Sequence, residues 1–443
     1  MSSEPEGRFR PGRGSGVSGP SRDLSTLLRL VLDFRWIHRR VEAISFVDEV
    51  RLLHRTSVDF TLPPHMPKTP LDPSAVLVPV ALLRKGKLRR FDMRDEEGRS
   101  VPVLTRNENG ALAASLLIAT YEAACRRATP PLEPSAMVAA DLRLLATSQT
   151  NAAEVIRRRL TTGDPRYPAG HVDAIAGVRP LEALMTDLTA NFLLVAVVKA
   201  QAGERRILKF SYEQVLLRLR TGNWFRRQGL RLLSWLPAAP QRFSMLASGI
   251  GAARSYHFET DMPPDVIITS ATMRSLGTNR DLDRDVNVLR VHLIAEDQPR
   301  GTVARVEVRF LLRPALILPG LVISAATTLL LGGGIILRSI GFHPQLDPAS
   351  ALLIALPAFF AAYVLAAEHR LTRRLASSLR ASSLASASFS FVAAASLALQ
   401  SPHWIAADWR PHLWVLLGIL SAANTVGLLV FLARSYFAER AVS

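Results

Sequence analysis

The chain has 443 residues, of which 49% are hydrophobic and 21% charged, and its formal net charge is +17 at pH 7. A single cysteine, Cys125, excludes an intramolecular disulfide and therefore a disulfide-stapled secreted fold. From Pro314 onward there are 8 Arg against 4 Asp and Glu, which contributes +4 and leaves +13 for the residues before it. This surplus favours anionic partners, either nucleic acid or anionic lipid headgroups.

Residues 1–20 are rich in Gly, Ser, Pro and Arg, which predicts a disordered basic tail. Ser21 then caps a predicted helix that runs to about Ser45, with one apolar stripe and five arginines on its polar side. This helix would either dock on the soluble core or lie in a membrane interface.

Short β-type runs follow at 76–83, 88–93 and 101–104, separated by turn residues, and they predict a small antiparallel meander. Helical periodicity at 107–127, 134–160 and about 180–189 predicts a helical block. Further strands are predicted at 192–199, 206–212, 288–295 and 303–311. We interpret residues 21–312 as an α+β cytoplasmic region, with two β modules at about 46–106 and 192–312 as an open alternative.

Three segments are similar in sequence to segments of known proteins: RRFDMRDEEGRSVPVLTRNENGALAASLL (89–117), SYHFETDMPPDV (255–266) and NVLRVHLIAEDQ (287–298). They resemble parts of uncharacterised multi-pass membrane proteins of high-GC actinobacteria, over about a quarter of the chain. That family has no known activity, so the resemblance implies a bacterial inner-membrane protein and no particular chemistry.

The C-terminal third is predicted to be a transmembrane domain, residues 313–437. A spanning helix needs about 20 mostly apolar residues because unpaired backbone amides are costly in hydrocarbon. Four segments meet this requirement, although serine residues lower the apolar content of the third. The predicted spans are about 315–337, 351–367, 381–399 and 413–433. The predicted fold class is therefore an α+β cytoplasmic region of short antiparallel β modules plus helices, followed by an all-α four-helix transmembrane domain.

The distribution of arginine predicts the orientation of these spans, because positive charges are retained on the cytoplasmic side. Arginines cluster before the first span, between the second and third, and in the C-terminal tail, whereas the two other loops have one each, Arg338 and Arg410. We therefore predict an inner-membrane protein with both termini in the cytoplasm.

The predicted spans contain no charged residue in their interiors, which disfavours ion-coupled transport. Their polar residues include Thr327, Thr328 and Asn424, which we interpret as groups for polar packing between helices. A homo-oligomer formed through the transmembrane helices is a further expectation.

The segment from Leu216 to Pro237 combines arginine with tryptophan. Three interpretations stay open: a packed helix with a solvated basic face, contact with the membrane surface, and, least favoured, nucleic-acid binding. The residues assigned to membrane-surface contact are Arg218, Arg220, Trp224, Arg226, Arg227, Arg231 and Trp235.

No catalytic, cofactor or metal residues are predicted. The alternating acids at Asp281, Asp283 and Asp285 lack the glycine and glutamate that a calcium loop requires. We expect a non-enzymatic membrane protein with a basic cytoplasmic sensing or scaffolding region. The alternatives are an oligomeric channel or pore-like effector gated by that region, and a membrane-anchored enzyme with an unrecognised site.

Overall fold

The computed structural model of the chain describes residues 22–47, 51–69, 72, 74–86, 88–215, 241–247, 249–262, 265–285, 290–340, 377–398 and 409–442. The chain forms two compact units. Unit 1 consists of Met1–His38, Asp59–Lys87 and Met93–Leu208, and unit 2 consists of Arg39–Val58, Leu88–Asp92 and Lys209–Ser443.

In the first half of the chain a short helical segment is followed by four strands and then by five helices, and in the second half a run of strands is followed by helices. The first elements are α1 (Arg22–Leu32), a 3-10 helix (Phe34–Trp36), β1 (Ile37–Phe46), β2 (Arg51–Thr61), β3 (Ala75–Arg84), β4 (Arg89–Arg94), α2 (Arg106–Arg127), α3 (Ala136–Thr147), α4 (Thr150–Thr162), α5 (His171–Ala176), α6 (Arg179–Ala190) and β5 (Asn191–Lys199). The remaining elements are β6 (Arg205–Val215), β7 (Gln241–Ala247), β8 (Ser255–Asp261), β9 (Val266–Ser275), β10 (Asp281–Asp285), β11 (Arg290–Glu296), β12 (Ala304–Leu312), α7 (Pro314–Ser339), α8 (Ser377–Ala398) and α9 (Trp409–Val442). The predicted α+β region with antiparallel sheets, followed by C-terminal helices, is confirmed.

Unit 1 packs the helices α2 to α6 against the antiparallel pair of β3 and β5. A capping box fixes the start of α2: the Thr105 hydroxyl accepts from the Glu108 amide, and the Glu108 carboxylate accepts from the Thr105 amide at 2.7 Å. Such a cap contributes about 1 kcal/mol to helix stability. Leu117, Leu142 and Leu184 are fully buried in the core that these helices share.

Unit 2 contains strands of two larger sheets. The six-stranded sheet has the order β11-β8-β1-β2-β6-β4, and the four-stranded sheet has the order β10-β9-β12-β7. β8 pairs in parallel with β1 and antiparallel with β11. Phe258 on β8, Met273 on β9 and Val306 on β12 are fully buried in one core, so the two sheets pack face to face.

Two C-terminal helices are long and apolar enough to cross a membrane, judged by length and composition. They comprise Pro314–Ile336, with mean hydropathy 2.0, and His412–Ala441, with mean hydropathy 2.2. They match the first and fourth predicted spans. The third predicted span, 381–399, falls in α8, whose apolar stretch Ala381–Ala393 is shorter because serine interrupts the sequence around it. The second, 351–367, lies outside the described residues.

The predicted helix from Ser21 to Ser45 is wrong in its second half. The helix ends at Leu32, and the Asp33 side chain accepts from the Arg35 amide to start the 3-10 turn that follows. From Ile37 the chain forms β1, which pairs with β8 over seven residues. The apolar spacing fits a helix, but the ladder of backbone hydrogen bonds with a distant strand decides the structure.

The predicted meander is also wrong in its pairing. β3 pairs with β5, more than a hundred positions later in the chain, whereas β4 lies beside β6 in another sheet. β3 (AVLVPVALLR) and β5 (NFLLVAVVK) are both apolar on two faces, which suits a fully buried pair, whereas β4 (RRFDMR) is charged. Val101–Leu104 forms no strand, and Val103 makes one isolated bridge to Ala196.

Candidate functional site

The predicted basic and aromatic contact segment lies outside the described residues, because the structure describes nothing between Val215 and Gln241. Its membrane-surface role stays a prediction. The residues concerned are Arg218, Arg220, Trp224, Arg226, Arg227, Arg231 and Trp235.

Polar side chains form a continuous cluster between the three described C-terminal helices, and we call this cluster the polar seam. Thr328 on α7 is 2.8 Å from both the Ser421 and the Thr425 hydroxyls of α9. Ser390 on α8 donates to the Thr327 hydroxyl of α7 at 3.2 Å. The seam comprises Ser324, Thr327 and Thr328 of α7, Ser382, Ser386 and Ser390 of α8, and Ser421, Asn424 and Thr425 of α9.

Asn424 is the centre of the polar seam. Its amide nitrogen lies 3.0 Å from the Ser324 hydroxyl, 2.9 Å from the Ser386 hydroxyl and 3.2 Å from the Ser382 carbonyl oxygen. The Ser382 hydroxyl donates to the amide oxygen of Asn424. One side chain on α9 therefore connects to both α7 and α8, and the structure brings the three predicted intramembrane residues, Thr327, Thr328 and Asn424, into one cluster.

Glycine allows α7 and α9 to approach closely above the seam. A methyl group at Gly334 would lie 2.6 Å from the Trp414 ring, and one at Gly418 would lie 3.0 Å from the Ile335 side chain. The overlap with the rigid Trp414 ring makes glycine necessary at Gly334, whereas a methyl group at Gly418 would require the end of the Ile335 side chain to shift.

The connection between the four-stranded sheet and α7 is a single residue, Arg313. The Arg313 amide donates to the Asp265 carbonyl at 2.9 Å, and the Ser435 hydroxyl of α9 donates to the Leu312 carbonyl at 2.5 Å. Leu312 is buried together with Phe431 and other apolar residues of the helices. We call this region the strand-to-helix junction, and its contacts fix both helices against the end of β12.

A buried charged network lies on the inner side of β1 and β8. Arg40 donates from Nε and Nη2 to Glu42 Oε1 at 3.0 and 2.7 Å, and the Tyr256 hydroxyl donates to Glu42 Oε2 at 2.7 Å. The side chains of Arg40 and Glu42 are only 5% and 14% exposed. A methyl group at Gly249 would lie 2.9 Å from Arg40 Nε and 3.0 Å from Glu42 Oε1, so the backbone there closes directly over the ion pair.

Burial and neighbouring charges shift the pKa values of Glu42, Tyr256 and the nearby His54. Burial opposes ionisation of Glu42, but the Arg40 charge and the hydrogen bonds from Tyr256 and Arg40 outweigh it, and the pKa of Glu42 is lowered. Burial, followed by the Glu42 charge, raises the pKa of Tyr256 well above its ordinary value. Burial lowers the pKa of His54, whose ring stacks on Tyr212 with centroids 4.9 Å apart. Because both oxygens of Glu42 are already engaged, this carboxylate stabilises the sheet and is not poised to accept a substrate proton.

Sequence reasoning missed this network because it assigned β1 to a helix. Residues two apart, such as Arg40 and Glu42, share a face only in a strand. Their third partner, Tyr256, is 214 positions away from Glu42. Had this segment been assigned to a strand, the Arg-x-Glu spacing would have predicted that Arg40 and Glu42 form an ion pair on one face.

One cysteine–histidine contact lies in the core of unit 1. The Cys125 sulfur is 3.8 Å from His171 Nδ1, and the Tyr121 hydroxyl is 2.8 Å from the same nitrogen. Burial raises the pKa of the Cys125 thiol, which keeps it in the unreactive neutral form. These residues therefore pack the core and do not form a nucleophile–base pair.

A surface groove of about 1070 Å³ in unit 1 is lined by the chain after β2 and by the connection between β5 and β6. Two of its cations are paired with acids: Arg206 contacts Glu96 at 2.5 Å and Glu204 at 2.7 Å, and Lys199 contacts Asp72 at 3.1 Å. Lys68 also lines the groove and is exposed.

The comparisons with known proteins identify no relative. The sequence matches no family model, and it matches no curated protein significantly. Within the ranges that the structure describes, no group of three or more His, Cys, Asp or Glu side chains is arranged to hold a metal ion.

Proposed function

We propose that the chain is a non-enzymatic integral membrane protein, in which a basic cytoplasmic sensing or scaffolding region is anchored by four transmembrane helices. The length and hydropathy of α7 and α9 support the anchor, and the resemblance to actinobacterial multi-pass membrane proteins supports the inner membrane. α8 is the third helix of the anchor, since serine and asparagine within a bundle satisfy each other through the polar seam.

The strand-to-helix junction is the observation that carries the sensing role. β12 pairs with β7 on one side and β9 on the other, so it lies inside its sheet. Only Arg313 separates it from α7, and Ser435 of α9 bonds to its last carbonyl. A rigid connection of this kind transmits displacement between sheet and helices, whereas a flexible linker would not.

Membrane integration and orientation are tested by cysteine labelling. Cys125 is fully buried, so a single exposed cysteine can be read against a low background. Ile340→Cys, after the first span, should react with an impermeant maleimide on intact cells, because both termini are proposed to be cytoplasmic. Ala441→Cys should react only after permeabilisation. The reverse pattern would contradict the orientation, and release of the protein by alkaline carbonate would contradict membrane integration.

Transmission through the junction is tested by inserting a Gly-Ser linker between Arg313 and Pro314. The insertion should leave the protein in the membrane but increase hydrogen exchange along β12 and its partner β9, because the helices no longer hold the strand. The same linker placed after Gly301, in the turn before β12, is the matched control. Equal exchange in both insertions would contradict a mechanical role for the junction.

A second candidate, an oligomeric channel or pore-like effector, is favoured by the polar seam, because hydroxyl groups between helices can exchange their partners for water or ions. The lipid-facing surfaces of α7 and α9, with Leu329 75% and Ile419 61% exposed, are available to lipid or to a second copy. Purified protein in liposomes separates the two candidates. A leak that depends on Asn424 supports the channel, whereas tight liposomes support the anchored scaffold.

A further inference from the structure

Exposed large apolar side chains in unit 1 are concentrated on two consecutive helices. Among the described residues of this unit, the large apolar side chains that stand exposed are Met137 (43%), Leu144 (50%) and Val155 (60%). The first two lie on α3 and the third on α4. Single exposed apolar residues are ordinary on protein surfaces, but three of them on two consecutive helices make this pair of helices a candidate interaction surface.

Both helices already bury one side in the core of unit 1, and the exposed apolar residues lie on their opposite, outer sides. α3 buries Val138, Leu142 and Leu145, while Met137, Ala140 and Leu144 point away from that core at positions i, i+3 and i+7. α4 buries Ala153, Ile156 and Leu160 and exposes Val155. Where the sequence predicts continuous helix over 134–160, Ser148 and Gln149 separate the two helices as a hairpin.

The charge on this surface is positive because its acids are already engaged. Asp141 is buried and accepts from the Tyr167 hydroxyl and from Arg159. Glu154 pairs with Arg157 at 2.7 Å. Arg143 and Arg158 are exposed, and neither has an acidic group within salt-bridge distance in the part of the chain that the structure describes.

We propose that this surface rests on anionic lipid headgroups of the membrane that anchors the chain, an inference that rests on the proposed membrane anchor. We call it the α3–α4 face, consisting of Met137, Ala140, Arg143, Leu144, Val155 and Arg158. Its apolar side chains enter the interface while the two guanidinium groups meet phosphate, the arrangement that binds amphipathic helices to anionic bilayers.

Lipid fits the α3–α4 face better than a second copy does. A symmetric dimer through this face would bring Arg143 and Arg158 toward the same residues of the partner, and like charges across an interface are unfavourable. An anionic bilayer neutralises both residues. For a chain held in the membrane by its helices, lipid is also present at high effective concentration, so individually weak contacts suffice.

The test places a small fluorophore on Ala140→Cys in the full-length protein and reconstitutes it in nanodiscs whose lipids carry bromine in their acyl chains. Ala140 is exposed between Met137 and Leu144, and the native Cys125 is buried and unlabelled. Phosphatidylglycerol-rich discs should quench the label strongly, and phosphatidylcholine discs should not. About 1 M salt, where the Debye length is about 3 Å, should relieve the quenching.

The variant Arg143→Gln/Arg158→Gln should shift the docking equilibrium about 30-fold toward the free face, which corresponds to about 1 kcal/mol for each arginine near an anionic surface. The matched control is Arg126→Gln/Arg127→Gln, which removes the same charge from exposed positions at the end of α2 and should leave quenching unchanged. Met137→Ser/Leu144→Ser should weaken quenching without the loss of charge.

Three results would overturn the assignment: no quenching in anionic discs, equal quenching in both lipids, or equal effects of the two arginine pairs. An acidic protein partner or a second copy would give the first of these. Failure of the membrane anchor itself is seen separately, because the protein would then be extracted by alkaline carbonate before any disc is formed. A protein that resists extraction but shows no quenching refutes only the role of the α3–α4 face.

Discussion

The centre of the polar seam can be tested by replacing Asn424 with alanine. Four polar contacts connect its side chain to Ser324 on α7 and to Ser382 and Ser386 on α8. Hydrogen bonds between membrane helices contribute on average about 0.6 kcal/mol each, and about 1.7 at most. We therefore expect Asn424→Ala to lower the free energy of unfolding by about 2 kcal/mol, since the released serine hydroxyls can turn to carbonyl oxygens of their own helices.

The assay is unfolding of the full-length protein in mixed micelles titrated with SDS, followed by circular dichroism. Asn424→Leu separates hydrogen bonding from packing, because it fills the space but makes no polar contact. Val426→Ala, at a 58% exposed position two residues away on the same helix, is the matched control. The reasoning is refuted when Asn424→Ala costs no more than this control, or when Asn424→Leu is as stable as the native chain.

Three further predictions concern the network under β1 and β8. Arg40→Met should cost about 3–5 kcal/mol in urea unfolding, because it leaves the Glu42 carboxylate buried without its cation, and adding Glu42→Gln should recover part of that loss. Gly249→Ala should lower the free energy of unfolding in urea by about 1–3 kcal/mol, because the added methyl group overlaps the ion pair. An unchanged free energy would show that the loop can move to make room for the methyl group. The pKa of His54 is lowered from 6.5 and that of Glu42 from 4.5, so both groups stabilise the fold above these values and lose that contribution as the pH falls through their folded-state pKa. Thermal midpoints should therefore decline below about pH 6.5, and His54→Phe should reduce the first part of the decline, to which His257 also contributes.

Local patterns predicted α2, α6 and the first and fourth spans, but they missed the break at Ser148 and Gln149 that divides the predicted helix 134–160. The capping pair Thr105 and Glu108 begins α2 one residue before the predicted start, and the apolar runs of α7 and α9 agree with the predicted first and fourth spans. These features depend on residues a few positions apart, and such short-range signals are readable from one sequence.

Pairing between strands could not be predicted in the same way. β3 has two apolar faces and suits any similar strand, so its sequence does not reveal that β5 is the partner. β1 carries apolar residues at a spacing that fits a helix, and only its ladder with β8 fixes it as a strand. The buried network could not be predicted for the same reason, since the pairing of β1 with β8 is what brings Glu42 and Tyr256 into contact. Long-range partners therefore decided both the fold of β1 and the chemistry on its inner face.

The position of β12 explains why the junction matters more than the number of spans. A strand at the edge of a sheet can peel away, but β12 has partners on both sides, and its own side chains Val306 and Val308 are fully buried. Moving α7 would therefore require either breaking two ladders or shifting the four-stranded sheet with it. Because Ser435 bonds to the end of the same strand, α9 is subject to the same constraint. Under the proposed sensing function, a ligand or lipid that displaces either the sheet or the helices would therefore change the other.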